Sequence, residues 1–155
     1  MEKMPQIELN ISPKIFNTTY FPHLQDYSKR YEIYYGGAGS GKSVFITQKL
    51  LIKAMARRRK VLVIRKFATT LKDSVFQLFI DTLKQWNLYS YCKINLSTYT
   101  ITLPNQSIIL FKGLDNEEKI KSIAGITDIW CEESKELIED EFTQLDLRLR
   151  AKEPD

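Results

Sequence analysis

An α/β domain, three layers built around a mainly parallel sheet, is the fold that this 155-residue sequence predicts, and three observations predict it. Short apolar runs, Val61-Leu62-Val63-Ile64 and Ile126-Thr127-Asp128-Ile129-Trp130-Cys131, alternate with longer stretches whose apolar residues recur at helical spacing. Strands alternating with helices favour parallel strands joined by right-handed crossovers. Between the first two elements stands Gly36-Gly37-Ala38-Gly39-Ser40-Gly41-Lys42-Ser43, which fits G-x-x-x-x-G-K-[ST]. A chain of this length buries one core, so one domain is expected.

Residues 1–24 show weak periodicity and read as an N-terminal arm, with 25–155 as the domain. His23 follows Pro22 and reads as a turn residue. Residues 31–35 are expected as the first strand, leading into the glycine-rich run. A helix is expected over 41–58, with Val44, Phe45, Gln48, Leu51, Ile52 and Met55 at helical spacing. Residues 61–65 suit a strand buried on both faces. A second helix is expected over about 70–86, burying Leu71, Val75, Leu78, Phe79, Thr82, Leu83 and Trp86. Residues 99–103 and 108–111, joined by Pro104-Asn105-Gln106-Ser107, read as an inserted β-hairpin. A polar segment over 115–121 leads to a strand at 126–131. A last helix is expected over 134–150, with Leu137, Phe142, Leu145 and Leu149 on one side.

The composition is that of a globular protein, 43% hydrophobic and 27% charged. No apolar run reaches membrane-spanning length and the polar start is no signal peptide, so a cytoplasmic protein is expected. Cys92 and Cys131 predict no disulfide in a reducing compartment, and with His23 they give no zinc spacing. The net charge of +4 conceals an asymmetry. Residues 1–125 hold 19 Lys and Arg against 9 Asp and Glu, whereas 126–155 hold 4 against 10. The basic part suits phosphate polymers. For Arg57-Arg58-Arg59-Lys60 a helix C-terminus, where cations favour the dipole, is the plainer account.

The glycine-rich run carries the chemistry. Its glycines let the backbone turn tightly, so N–H groups converge on a concavity, and the helix that opens there adds its positive end. In that reading Gly36, Gly37, Ala38, Gly39, Ser40, Gly41, Lys42 and Ser43 cradle phosphates. Lys42 reaches the terminal phosphates and the Ser43 hydroxyl holds Mg²⁺. A glycine-rich turn before a helix is the bland alternative, and the correct flanks argue against it. Hydrolysis needs an acid for the metal and a group to activate water. Glu132 is placed for the first task and Glu133 for the second. Helix capping is their plain alternative. The 90-residue spacing from Lys42 to Glu132 leaves room for an extra strand between the two motif strands, which predicts the additional-strand, catalytic-glutamate branch of P-loop NTPases. Arg65, Lys66, Lys119 and Lys121 are candidate cations for the transferring phosphate, each equally readable as a surface charge. Arg30, just before the first strand, is a candidate neighbour of the base. No guanine-reading tetrad is present.

Arg30-Tyr31 with the run from Tyr34 to Ser43, then Val61 to Lys66 with Leu71 to Val75, then Phe111 to Asp115 and Lys119 to Ser122, then Gly125 to Glu133, and last Gln144-Leu145 with Arg148 to Arg150, together resemble the ATPase domain of large terminase subunits of tailed phages. The resemblance covers about residues 25–150. It implies ATP and Mg²⁺ as cofactors and ATP hydrolysis that drives double-stranded DNA into a procapsid. It also implies a homo-oligomeric ring docked on the portal protein, a small terminase subunit as partner, and a place in the host cytoplasm, transiently at the portal. Three departures stand out. Ala38 occupies a loop position where many relatives carry Arg. Glu132 replaces the more common Asp. The sequence stops at Asp155, so a fold incomplete at its C-terminus, without the coupling strand and the nuclease domain, is expected. The alternatives are a nucleotide-binding fragment without turnover and another DNA-directed, helicase-like P-loop ATPase.

Overall fold

The unbroken run Val61-Leu62-Val63-Ile64 lies at the heart of the molecule, with all four side chains fully buried. It forms β1 (Lys60–Arg65), which pairs in parallel with β4 (Ile108–Gly113) on one side and β5 (Asp128–Cys131) on the other. Strands β2 (Lys93–Asn95) and β3 (Thr100–Thr102) extend the sheet by antiparallel pairing, giving the order β2-β3-β4-β1-β5. The structure, a computed structural model, describes residues 8–115 and 120–149. The domain is thus α/β with a mixed sheet whose core strands are parallel. The hairpin expected after residue 99 is β3–β4, and β2 is an addition to the sequence reading.

Successive β1 side chains point to opposite faces, so the sheet has two cores. Val61 and Val63, with Ile109, Phe111 and Trp130, pack under α1 (Lys42–Ala56) and α2 (Gln77–Gln85). Leu62 and Ile64 pack with Leu145 of α3 (Glu139–Asp146) on the other face. The first core is the larger and includes an edge-to-face aromatic run, with Phe111 5.0 Å from Phe76 and 5.2 Å from Phe79 between ring centroids. The arm residues Leu9, Ile11, Ile15 and Phe16 pack against this same core.

Several elements differ from the sequence reading. No strand forms over 31–35. The segment makes no ladder, and Ile33 and Tyr35 are 84% and 90% exposed. Strand-like composition still needs a partner to pair with, and among the described residues this segment pairs with none. In α1 the expected inward residue Val44 is exposed, whereas Lys49 is buried. The expected helix over 70–86 begins as a 3₁₀ turn (Ala68–Thr70) and a π turn (Lys72–Phe76), with the Phe76 amide donating to the Leu71 carbonyl. Leu71 and the adjacent pair Val75 and Phe76 all face inward across this wide turn. The last helix is shorter than expected. A 3₁₀ turn (Ser134–Glu136) comes first, and α3 starts only at Glu139, where the Glu141 carboxylate accepts the Ile138 amide at 3.0 Å. Phe142, expected inward, is 48% exposed. Among the described residues no helix is long and apolar enough to cross a membrane.

Candidate functional site

The glycine-rich loop ends at Gly41, which caps α1 in a left-handed conformation (φ +82°), as does Gly39 (φ +74°). An L side chain pays for that region, and a Cβ on Gly41 would also lie 3.2 Å from the Asn17 side-chain nitrogen. Because Gly41 brings no capping side chain, the first-turn amides of α1 are left for a ligand. Lys42 folds back across the loop. Its ammonium donates to the Gly36 carbonyl at 2.8 Å, the Gly37 carbonyl at 2.9 Å and Ser40 Oγ at 3.0 Å. The loop therefore holds a positive charge at its centre.

Glu132 meets this loop from the sheet. Its amide donates to the Ile64 carbonyl at 2.9 Å, continuing the β1–β5 ladder one rung. Glu132 is two residues beyond Trp130, so it points to the α1 face. There the Ser43 hydroxyl donates to Glu132 Oε1 at 2.9 Å, joining positions 89 residues apart. Two hard oxygen donors at this separation fit Mg²⁺, which takes one or two carboxylates and completes its shell with water and phosphate oxygens. Among the described residues no group of three or more His, Cys, Asp or Glu is placed to hold a metal.

Glu133 turns away. Its backbone is left-handed (φ 53°, ψ 47°), and its carboxylate lies 3.3 Å from the exposed Lys135 ammonium. The loop and the Glu132–Glu133 pair line one cleft of about 970 Å³, at the upper end of the range for small-molecule sites. Arg30 and Tyr31 also line it. Asp146 of α3 accepts from Arg30 at 2.8 Å and from the Tyr31 hydroxyl at 2.7 Å, so Arg30 is already engaged at the rim.

Arg65, Lys66 and Lys121 lie outside the cleft lining. Arg65 donates to the Thr70 carbonyl and Ser74 Oγ, each at a long 3.4 Å. It nonetheless follows Ile64, the partner of Cys131, so it occupies the rung beside Glu132 on the same face. Lys66 is ion-paired with Glu141 of α3. The Lys121 carbonyl accepts from Arg148 at 2.8 Å. Lys119 falls outside the described residues. Burial pushes the Cys131 thiol, beside Glu132, up to about 11, so it stays protonated and is a packing group.

Sequence reasoning missed the polar knot behind the loop. Lys49 in α1 donates to Glu32 Oε2 at 2.5 Å and to the Asp26 carbonyl at 2.7 Å. Its one signal was a lysine two helical turns after Lys42 on the same face.

Comparison with known proteins gives a consistent match. A family model described as phage terminase large subunit matches residues 28–155. The PBSX phage terminase large subunit of Bacillus subtilis (strain 168) is 36% identical over 133 residues, covering 83% of this chain and 31% of its own length. The terminase large subunit of Bacillus phage SPP1 is 31% identical over 106 residues, 65% of this chain and 25% of its own length. The chain thus spans less than a third of either relative.

Proposed function

From the premise that this chain belongs to the phage terminase large subunit family, we propose that it is the ATP-hydrolysing part of a DNA-packaging motor. In this reading residues 25–155 belong to a P-loop ATPase of the additional-strand, catalytic-glutamate branch, with 1–24 as an arm. Its work is to move double-stranded DNA into a procapsid, as a homo-oligomeric ring at the portal protein with a small terminase subunit, in the host cytoplasm.

The observation that carries the reading is the Ser43–Glu132 hydrogen bond, which sets the phosphate loop against the acidic strand end. Gly36 to Ser43 would cradle the phosphates through backbone amides. Lys42 would exchange the Gly36 and Gly37 carbonyls for terminal phosphate oxygens, a stronger charge-assisted partner. Ser43 and Glu132 would hold Mg²⁺. The metal supplies charge neutralisation on the phosphates. Glu133 would leave Lys135 to orient water and accept its proton. Arg65, on the rung beside Glu132, would stabilise the transferring phosphate, with Lys121 as the second candidate.

The experiment is ATP turnover by the 155-residue chain with Mg²⁺. Lys42→Ala is expected to weaken nucleotide binding by about 10–100-fold. Glu133→Gln is expected to bind normally and lose turnover by about 10²–10³-fold. Wild-type binding that survives Lys42→Ala unchanged overturns the site. A second reading, nucleotide binding without turnover, is favoured by the pairing of the Glu133 carboxylate with Lys135; it predicts a bound nucleotide and no product in wild type.

A further inference from the structure

The segment that delivers the phosphate loop lacks the support a strand would give it. Residues 31–35 make no ladder, and Ile33 and Tyr35 project into solvent. The segment is nonetheless held in place, at Tyr31 by Asp146 of α3 and at Glu32 and Tyr34 by α1. Lys49 is only 6% exposed. Its ammonium donates to the Asp26 carbonyl at 2.7 Å, to Glu32 Oε2 at 2.5 Å and, more weakly, to the Tyr34 hydroxyl at 3.4 Å. The Tyr34 hydroxyl in turn bonds the same Glu32 oxygen. Three rings surround the charge, with Tyr27, Tyr34 and Phe45 centroids at 5.5, 6.0 and 5.9 Å. Phe45 also carries the stacked Tyr20 ring at 4.9 Å.

Lys49 follows Lys42 by seven residues, two turns along the same helix face. The two lysines therefore grip one stretch of chain at two heights. Lys42 holds the carbonyls of Gly36 and Gly37, and Lys49 holds Asp26, Glu32 and Tyr34. A buried ammonium needs full pairing to be tolerated, and once paired it admits one geometry of its partners. Fixing Glu32 and Tyr34 to α1 fixes where Gly36 begins.

We propose that Lys49 is a positioning residue of the nucleotide site: it stands in for a strand partner, holding residues 31–35 against α1 so that the loop carbonyls and amides meet Lys42 and the phosphates in register. The proposal rests on the nucleotide-site reading for its effect on binding. Its effect on the loop stands apart from that reading.

The test uses the whole 155-residue chain as wild type, Lys49→Met and Lys49→Arg, with two measurements. Chymotrypsin cleavage after Tyr31, Tyr34 and Tyr35 without nucleotide reads the segment, because a cut there needs the chain to be released locally. Titration with a fluorescent ATP analogue and Mg²⁺ reads the site. In Lys49→Met, cleavage after these tyrosines is expected to speed up about tenfold while cleavage in α2, after Phe79 and Leu83, stays slow. Affinity is expected to fall about tenfold, and Lys49→Arg to recover part of both. Cleavage that is unchanged at 31–35, or that speeds up equally in α2, overturns the proposal, since the second pattern is a lysine that merely stabilises the fold. Should Lys49→Met fail to fold, Tyr34→Phe combined with Glu32→Gln removes the partners instead and carries the same expectations. Wild type that binds no nucleotide sinks the nucleotide-site reading, and the cleavage arm still decides the role of Lys49.

Discussion

Glu133 holds the least comfortable backbone in the site, a left-handed conformation that costs an L residue about 1–2 kcal/mol. Glycine takes that region without the cost but loses more chain entropy. Glu133→Gly is therefore expected to raise stability modestly, by up to about 1 kcal/mol, while removing turnover. Thermal melting beside an ATPase assay checks this. A variant that is both inactive and less stable would show that the carboxylate, and not the strain, matters to the fold. Gly113 presents the opposite case. A Cβ there would sit 2.4 Å from the Ala68 amide nitrogen and 2.7 Å from Ala68 Cα. Gly113→Ala must push the turn after β1 off the end of β4. A loss of about 1–3 kcal/mol is expected, read by denaturant unfolding. Residue chemistry was the part most legible in the sequence. The loop spacing is local, and so is the need for glycine at Gly39 and Gly41. The direction of the Glu133 carboxylate was not legible, because it depends on a turn angle that no neighbouring residue type announces.

Among the elements, α3 is pinned to the sheet largely through its acidic residues. Lys66, one residue beyond β1, pairs with Glu141, and Arg30 pairs with Asp146. Burial works to raise the Glu141 carboxyl, but the hydrogen bonds from Lys66 and the Ile138 amide outweigh it and hold the group below its usual 4.5. A carboxylate whose folded value is depressed gives stability that is fully present above the unfolded value and is lost as pH falls through the folded one. Wild type should therefore melt higher than Glu141→Gln at about pH 6, and the difference should shrink as the pH falls below the usual carboxylate range. A constant difference would mean that packing, not charge, accounts for Glu141. The sequence reading ran this helix from 134 to 150 because Leu137, Phe142, Leu145 and Leu149 fit a stripe. The structure breaks that stripe. Ile138 is extended and Phe142 faces out, 6.2 Å from the Tyr31 ring, so an apolar residue there serves a contact across the cleft rim. The π turn before α2 was hidden for a related reason. Leu71, Val75 and Phe76 are all apolar, and periodicity alone cannot say that two adjacent residues share the inner face.

At the scale of the whole molecule the two faces of the sheet carry helices, whereas among the described residues its edge strands β2 and β5 each pair on one side only. Strand β5 pairs only with β1, and among the described residues nothing pairs with its other edge. The mispredicted strand bears on the same feature. Tyr31-Glu32-Ile33-Tyr34-Tyr35 has the β-branched and aromatic content of a strand, and the reading failed because pairing is a property of the neighbour, not of the segment. What remains is an unpaired edge, an extended segment with Ile33 and Tyr35 exposed, and the exposed Ile138 and Phe142. Unpaired edges and contiguous apolar surface drive association. The protein should therefore shift to larger species as its concentration rises from about 10 to about 200 μM, the range in which exposed edges associate. A lysine on the extended segment adds charge where a second chain would dock and leaves both cores untouched. Ile33→Lys combined with Tyr35→Ser is expected to stay monomeric across that range, with a melting temperature within a few degrees of wild type. Light scattering coupled to size exclusion separates the outcomes. If the double variant associates as readily as wild type, the contact lies elsewhere on the surface. If wild type remains monomeric throughout, the lysine-held segment shields the β5 edge well enough by itself, and the open end of the sheet is not an association site.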